Sequence, residues 1–271
     1  MHPKKKTLLW QFHGDHLLGP GYLFGTMHAR SARVHAIALH LQVYIEQCDA
    51  FAAEYNLDET LTQPPAAMHM KEPLDQLMGP RRFAKARRIL LKTTGVDLMA
   101  LRFVHPVLIS GMLDEVFFSQ EHVHPLDALL WHYAKEADKT CVGLESMEQQ
   151  WAVLQQISPR EGADGIHQLS RNPAKHRRQM LRLMEWYLAG DPHTLYHHAK
   201  KGLGKHRRTF LYERNKIMAE RIVFFAGQHR LFAAVGAGHL SGEKGILRLL
   251  KQGGCEVRPL RLPVLPATGK D

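Results

Sequence analysis

Two short motifs stand near opposite ends of the chain, Gly25-Thr26-Met27-His28 and Gly236-Ala237-Gly238-His239, each entered from an apolar run. In open α/β sheets, ligands bind beyond the carboxyl ends of strands, and a Gly there permits tight backbone geometry before a His leaves the strand. Two imidazoles from separate strands are then expected to converge. Glu54 follows the apolar stretch 50–53 and Glu145 follows 142–144, so four strand ends supply two His and two Glu. Such a set binds a divalent ion through neutral imidazole and ionised carboxylate, or lets one Glu take a proton from a water that the ion or the His pair orients. A lone Gly-x-x-His says little in a chain with 19 His; the matched context at both ends carries the reading. The competing account of Glu54 and Glu145 is that they cap turns or pair with Arg.

The elements that must position these groups follow from the periodicity. Strands are predicted at 8–12 and 22–25, joined through Gly19-Pro20-Gly21, then a helix over 31–48, where Val34, Ile37, Ala38, Leu41 and Ile45 recur at helical spacing, then a strand at 50–54. From 57 to 139 the texture is helical, with helices predicted at 73–78, 81–92, 107–118 and 125–137. Pro64, Pro65, Pro73, Pro80, Pro106 and Pro125 limit them. A strand at 140–144 and a helix at 147–157 follow, then helices over 175–188, ended by Ala189-Gly190-Asp191-Pro192, and 209–226. The chain closes with a strand at 231–235, a helix at 243–251 and a strand at 255–258. The expected class is α/β: a small central mixed sheet covered by helices, in a single domain 1–271 with a helical insertion or lid at 57–139 between its halves.

Composition bounds the alternatives. With 271 residues and 45% apolar content, the chain is large enough for a real core, and disorder, collagen and a disulfide-stapled miniprotein are excluded. Cys48, Cys141 and Cys255 lie far apart with no Cys-x-x-Cys spacing, which suits a reducing compartment. The positive N-terminus, with Lys4 to Lys6, precedes too short an apolar stretch for a signal peptide, and the apolar region 222–238 is broken by Gln228, His229 and Arg230, so no transmembrane span is predicted. A cytoplasmic location is expected. The surplus of 36 Lys and Arg over 26 Asp and Glu concentrates at 81–92, 175–182 and 200–208; the first two interleave apolar residues at helical spacing, as solvated faces of packed helices do, and no specific nucleic-acid partner is expected. No Gly-x-Ser-x-Gly elbow, Walker motif or Rossmann glycine pattern is present.

The ordered landmarks Tyr22-Leu23-Phe24-Gly25-Thr26-Met27-His28, Glu54, Gly143-Leu144-Glu145-Ser146-Met147-Glu148-Gln149-Gln150, Arg214-Asn215 and Val235-Gly236-Ala237-Gly238-His239-Leu240-Ser241-Gly242 resemble those of the TraB/GumN family, which includes the Tiki proteases. The resemblance covers roughly 8–258. It implies an α/β fold akin to the erythromycin-esterase/ChaN-like grouping and, as in Tiki members, metal-dependent peptide hydrolysis with manganese or cobalt; zinc is a further candidate.

Carried over position by position, the resemblance makes His28, His239 and Glu145 metal ligands, Glu54 the base, Arg214 a group that holds a substrate carboxylate or carbonyl oxygen, and Asn215 one that orients Arg214 or a water. The other account of Arg214 is an ion pair with a carboxylate such as Glu145. The implied activity is hydrolysis of amide bonds in short peptides or another small substrate; the alternative is a protein that binds a metal, haem or small ligand without turnover. A homodimer is expected on general grounds. His122, His124, His197 and His198 lack an ordered carboxylate or Cys partner and are not assigned a site; His105-Pro106 is expected to open a helix, and Trp131, Tyr133, Trp186 and Tyr187 to pack.

Overall fold

The structure, a computed structural model, describes residues 6–59, 68–118 and 121–262. Lys4, Lys5, Pro64 and Pro65, to which the sequence assigns a tail and helix limits, lie outside the described residues. The described residues divide into two compact units: 6–59, 121–150 and 183–262 form the first, and 68–118 and 151–182 the second.

The first unit is built on strands β1 (Leu9–His13), β2 (Gly21–Thr26), β3 (Ala50–Tyr55), β4 (Thr140–Glu145), β5 (Leu231–Gly236) and β6 (Glu256–Leu260), in the order β4-β3-β5-β2-β1-β6. The four from β4 to β2 are mutually parallel, while β1 runs antiparallel to both β2 and β6, so the sheet is mixed and the fold is α/β. Parallel strands covered on both faces need unbroken apolar runs, and every residue of β2 is buried. Phe51 of β3 stacks on Phe232 of β5 with centroids 5.6 Å apart.

Helices α1 (Ala32–His35), α2 (Ala38–Glu46), α6 (Leu126–Glu136), α10 (Pro192–Leu203), α11 (Arg214–Ala226) and α12 (Ile246–Gln252) belong to the first unit; α3 (Leu74–Met78), α4 (Pro80–Thr94), α5 (Pro106–Phe117) and α8 (Pro159–Arg171) belong to the second. Two more, α7 (Met147–Leu154) and α9 (Pro173–Leu188), carry the chain across the boundary. His105 opens α5 as expected, its Nδ1 accepting from the Val107 amide at 3.3 Å.

Three sequence expectations change. The single helix over 31–48 is two, because the bonds Ile37 to Val34 and His40 to Ile37 tighten the ladder between α1 and α2. The helix expected from 209 begins instead with a π-helical turn, Arg208–Glu213, before α11. α8 and α10 were not anticipated, although Ser158 caps Glu161 and Asp191 caps Thr194, each with Pro at the first helical position. The residues that end one helix start the next.

Cys48, Cys141 and Cys255 are all free thiols, and burial pushes that of Cys48 up to about 12. No described helix is long and apolar enough to cross a membrane.

Candidate functional site

The parallel register brings the carboxyl ends of β2, β5, β3 and β4 to one edge of the sheet. Thr26 pairs with Gly236 and Tyr55 with Glu145, so the turns carrying His28 and His239 leave from adjacent strands, and Glu54 and Glu145 stand on the next two. Gly25 is required by close approach: a Cβ there would lie 2.7 Å from Leu240 Cδ1 and 3.0 Å from the Ala237 Cα. The Tyr187 hydroxyl, fully buried as the sequence expectation of packing requires, donates to the Gly25 carbonyl at 2.9 Å and anchors the same turn.

Arg214 is the hub. Its Nε donates to both Glu145 oxygens at 3.0 Å, and its Nη2 donates to Glu145 Oε2 at 2.6 Å and to Glu54 Oε2 at 2.8 Å. The Gln150 amide adds a donor to Glu145 Oε2 at 2.8 Å. The ion-pair account of Arg214 is therefore the one realised, with both carboxylates sharing the guanidinium. The π turn ahead of α11 adds a residue to one helical turn and so sets the face from which Arg214 and Asn215 project. Asn215 heads the buried stripe Asn215, Met218, Ala219, Ile222, Ala226.

The two acids differ. Burial disfavours charge on Glu54, but the Arg214 guanidinium, His239 and the Gly236 amide, which donates to Glu54 Oε1 at 2.6 Å, outweigh it and hold Glu54 at about 2. Burial raises Glu145 above the ordinary carboxylate range against the pull of Arg214, and the neighbouring Glu54 charge adds to the rise. Besides the shared guanidinium, Glu54 has His239 and the Gly236 amide on its side, whereas Glu145 has the Glu54 charge against it, so Glu145 is the weaker acid.

His239 is mostly buried, and burial brings it down to about 4, with Glu54 opposing. Asn215 donates through Nδ2 to the Lys244 carbonyl at 2.6 Å, which turns its Oδ1 to His239 Nδ1 at 2.5 Å. Nδ1 must then carry the ring proton, and the lone pair of Nε2 faces Glu54 Oε1, 3.8 Å away. Asn215 thus orients a histidine, where the sequence expectation had it orient Arg214 or a water.

His28 is half exposed, and its Nδ1 meets Asp127 Oδ2 at 2.9 Å. With Thr26, Glu54, Tyr55 and Asp127 it lines a cavity of about 240 Å³. Asp127 was missed by the sequence reading: it lies 99 positions from His28 and inside a predicted helix, where nothing in its spacing marks it. Its second oxygen, Oδ1, is buried without a hydrogen-bond partner among the described residues.

These donors suit a divalent ion by chemistry: two imidazoles, one set by a backing amide as metal-bound histidines are, and ionised carboxylate, with the orphaned Asp127 oxygen at the cavity wall. Glu145 is less open to an ion, accepting four hydrogen bonds from Arg214 and Gln150 where Glu54 accepts two, from Arg214 and the Gly236 amide. Among the described residues no group of three or more His, Cys, Asp or Glu is close enough together to hold an ion. Elsewhere, His122 stacks on His35 at 4.1 Å, His124 meets His132 edge-on, and His198 lies beside Trp186.

A family model described as the TraB/PrgY/gumN family matches residues 8–259, nearly the whole chain. No curated protein and no solved structure gives a significant match.

Proposed function

The chain belongs to the TraB/PrgY/gumN family, and on that premise we propose that it is a metal-dependent hydrolase of amide bonds in short peptides. The observation that carries the reading is the relation of His239 to Glu54: a neutral imidazole whose Nε2 lone pair is aimed by Asn215 at an ionised carboxylate 3.8 Å away, on the edge that also bears the His28 cavity. His239 and Glu54, 3.8 Å apart, would hold the ion, Glu54 as a ligand in place of the base role expected of it, and His28 and Asp127 would have to move towards them from the cavity wall to complete the set. Manganese or cobalt is favoured by the resemblance, with zinc a third candidate. The ion would supply positive charge that acidifies a water and polarises the scissile carbonyl.

The residues of the chain do the rest. Arg214 keeps Glu54 ionised and in place, a positioning role that replaces the direct contact with substrate expected of it. Asn215 keeps Nε2 of His239 free of its proton. The cavity of about 240 Å³ beside Glu54 and His28 is the place where a small part of a peptide would bind.

The second reading, ligand binding without turnover, is favoured by one observation: Arg214 spends Nε and Nη2 on two carboxylates, so they are not available to a developing oxyanion. Protein stripped with chelator and reloaded with manganese, cobalt, zinc or nothing separates the two when offered a mixed peptide library with mass-spectrometric readout. Cleavage that requires an ion and is lost in Glu54→Gln and His239→Asn supports the hydrolase. Ion binding with no cleavage under any loading leaves only the second reading.

A further inference from the structure

The positive surplus of the chain is unevenly placed. The second unit carries 14 Lys and Arg against 7 Asp and Glu, so 7 of the 10 surplus charges fall on about a third of the residues. Within that unit, α5, α8 and the start of α9 surround a concavity of about 650 Å³, within the ordinary range for small-molecule sites. Its lining is polar. Arg171 and Lys175 stand on it, and neither side chain has an acidic partner among the described residues. Asp114 is the one carboxylate among the lining residues, and it is answered by His176, whose Nε2 lies 2.6 Å from Asp114 Oδ1 and whose ring is held edge-on by Phe117 at 5.2 Å. Gln168 and Gln179, whose side-chain amides are neutral donors, also line it.

A cation on a convex surface is solvated at little cost, but two unpaired cations in one concavity focus a positive potential into it. Arg171 adds a planar donor fork that fits two oxygens of one phosphate or carboxylate. One oxygen of Asp114 is taken up by His176, and the two cations outnumber this single carboxylate in the lining. We propose that this concavity binds a small ligand carrying phosphate or carboxylate oxyanions, at a place distinct from the His239 site and independent of the hydrolase reading.

The test is isothermal titration of the full chain with two separate probes, inorganic pyrophosphate and citrate, in low salt. Saturable one-site binding is expected for at least one, weakened tenfold or more in the Arg171→Gln/Lys175→Gln double variant. Gln168→Glu, which keeps both cations but places a carboxylate beside them, should weaken it as well. Arg81→Gln/Arg82→Gln, at exposed positions of α4 away from the lining, should leave it unchanged. Binding of pyrophosphate alone assigns phosphate as the ligand group; binding of citrate alone assigns carboxylate. Absence of saturable binding to both probes overturns the proposal. So does equal weakening by the α4 variant, which would mean diffuse charge of the kind that also collects nucleic acid.

Discussion

Asn215 Oδ1 and His239 Nδ1 are 2.5 Å apart, and the amide is held in that sense by its own donation to the Lys244 carbonyl. The contact decides which ring nitrogen is protonated. Replacing Asn215 by Leu, similar in shape but without an acceptor, should lower manganese affinity about 10- to 100-fold, the usual cost of losing a partner behind a metal-bound histidine. Titration with manganese followed by electron paramagnetic resonance checks this. Unchanged affinity would mean that Asn215 does not set the ligand.

Arg214→Met should destabilise the protein by about 3–5 kcal/mol at neutral pH, because it strands Glu54 and Glu145 without their shared cation. The penalty should shrink as the solution is acidified and the stranded carboxylates protonate. Urea unfolding at pH 7 and near pH 3 measures both values; an equal cost at the two pH values contradicts the ion-pair origin.

Acid stability has a sign that two residues share. Glu54 is held at about 2 against an ordinary 4.5, so the native protein binds fewer protons than the unfolded chain in that interval, and the stability it contributes is lost as pH falls from about 4.5 to 2. His239, brought to about 4 from 6.5, also binds fewer protons when folded, so stability falls as pH drops from 6.5 towards 4. Unfolding free energy followed from pH 7 to pH 4 should decline, and His239→Asn should flatten the upper part of that decline. A slope that survives the substitution would place its source elsewhere.

Gly25→Ala should cost about 1–3 kcal/mol, the range for overpacking, because the added methyl meets Leu240 and the Ala237 backbone at 2.7 and 3.0 Å. Since Ala237 begins the turn that carries His239, peptide cleavage should fall more than thermal stability does. Parallel melting curves and cleavage rates test the difference.

Local patterns made a large part of this legible. Apolar runs broken by Gly-x-x-His located β2 and β5 and their imidazoles, and the short runs ahead of Glu54 and Glu145 located β3 and β4. Each is a signal confined to a few neighbouring residues, where strand propensity and turn geometry act directly. The π turn at Arg208–Glu213 left no such trace, because it is a change of hydrogen-bond register inside a helical pattern. Ser158 and Asp191 cap helices that the spacing did not predict: each stands just past the end of a predicted helix, so the stop obscured the start.

By itself, then, the sequence placed two His and two Glu at the ends of strands, and the family resemblance added Arg214 and Asn215. Only the tertiary structure decided their partners. Arg214 and Glu54 are 160 positions apart, and Arg214 and Glu145 are 69 apart. Whether a guanidinium faces a substrate or two carboxylates depends on distances of a few ångströms set by sheet register and helix rotation. The same holds for charge. The sequence showed a surplus of 10, and folding decided that Asp114 would be answered by His176 while Arg171 and Lys175 would share a concavity with no acid of their own. Coulomb interactions depend on separation in space, which spacing along the chain does not encode.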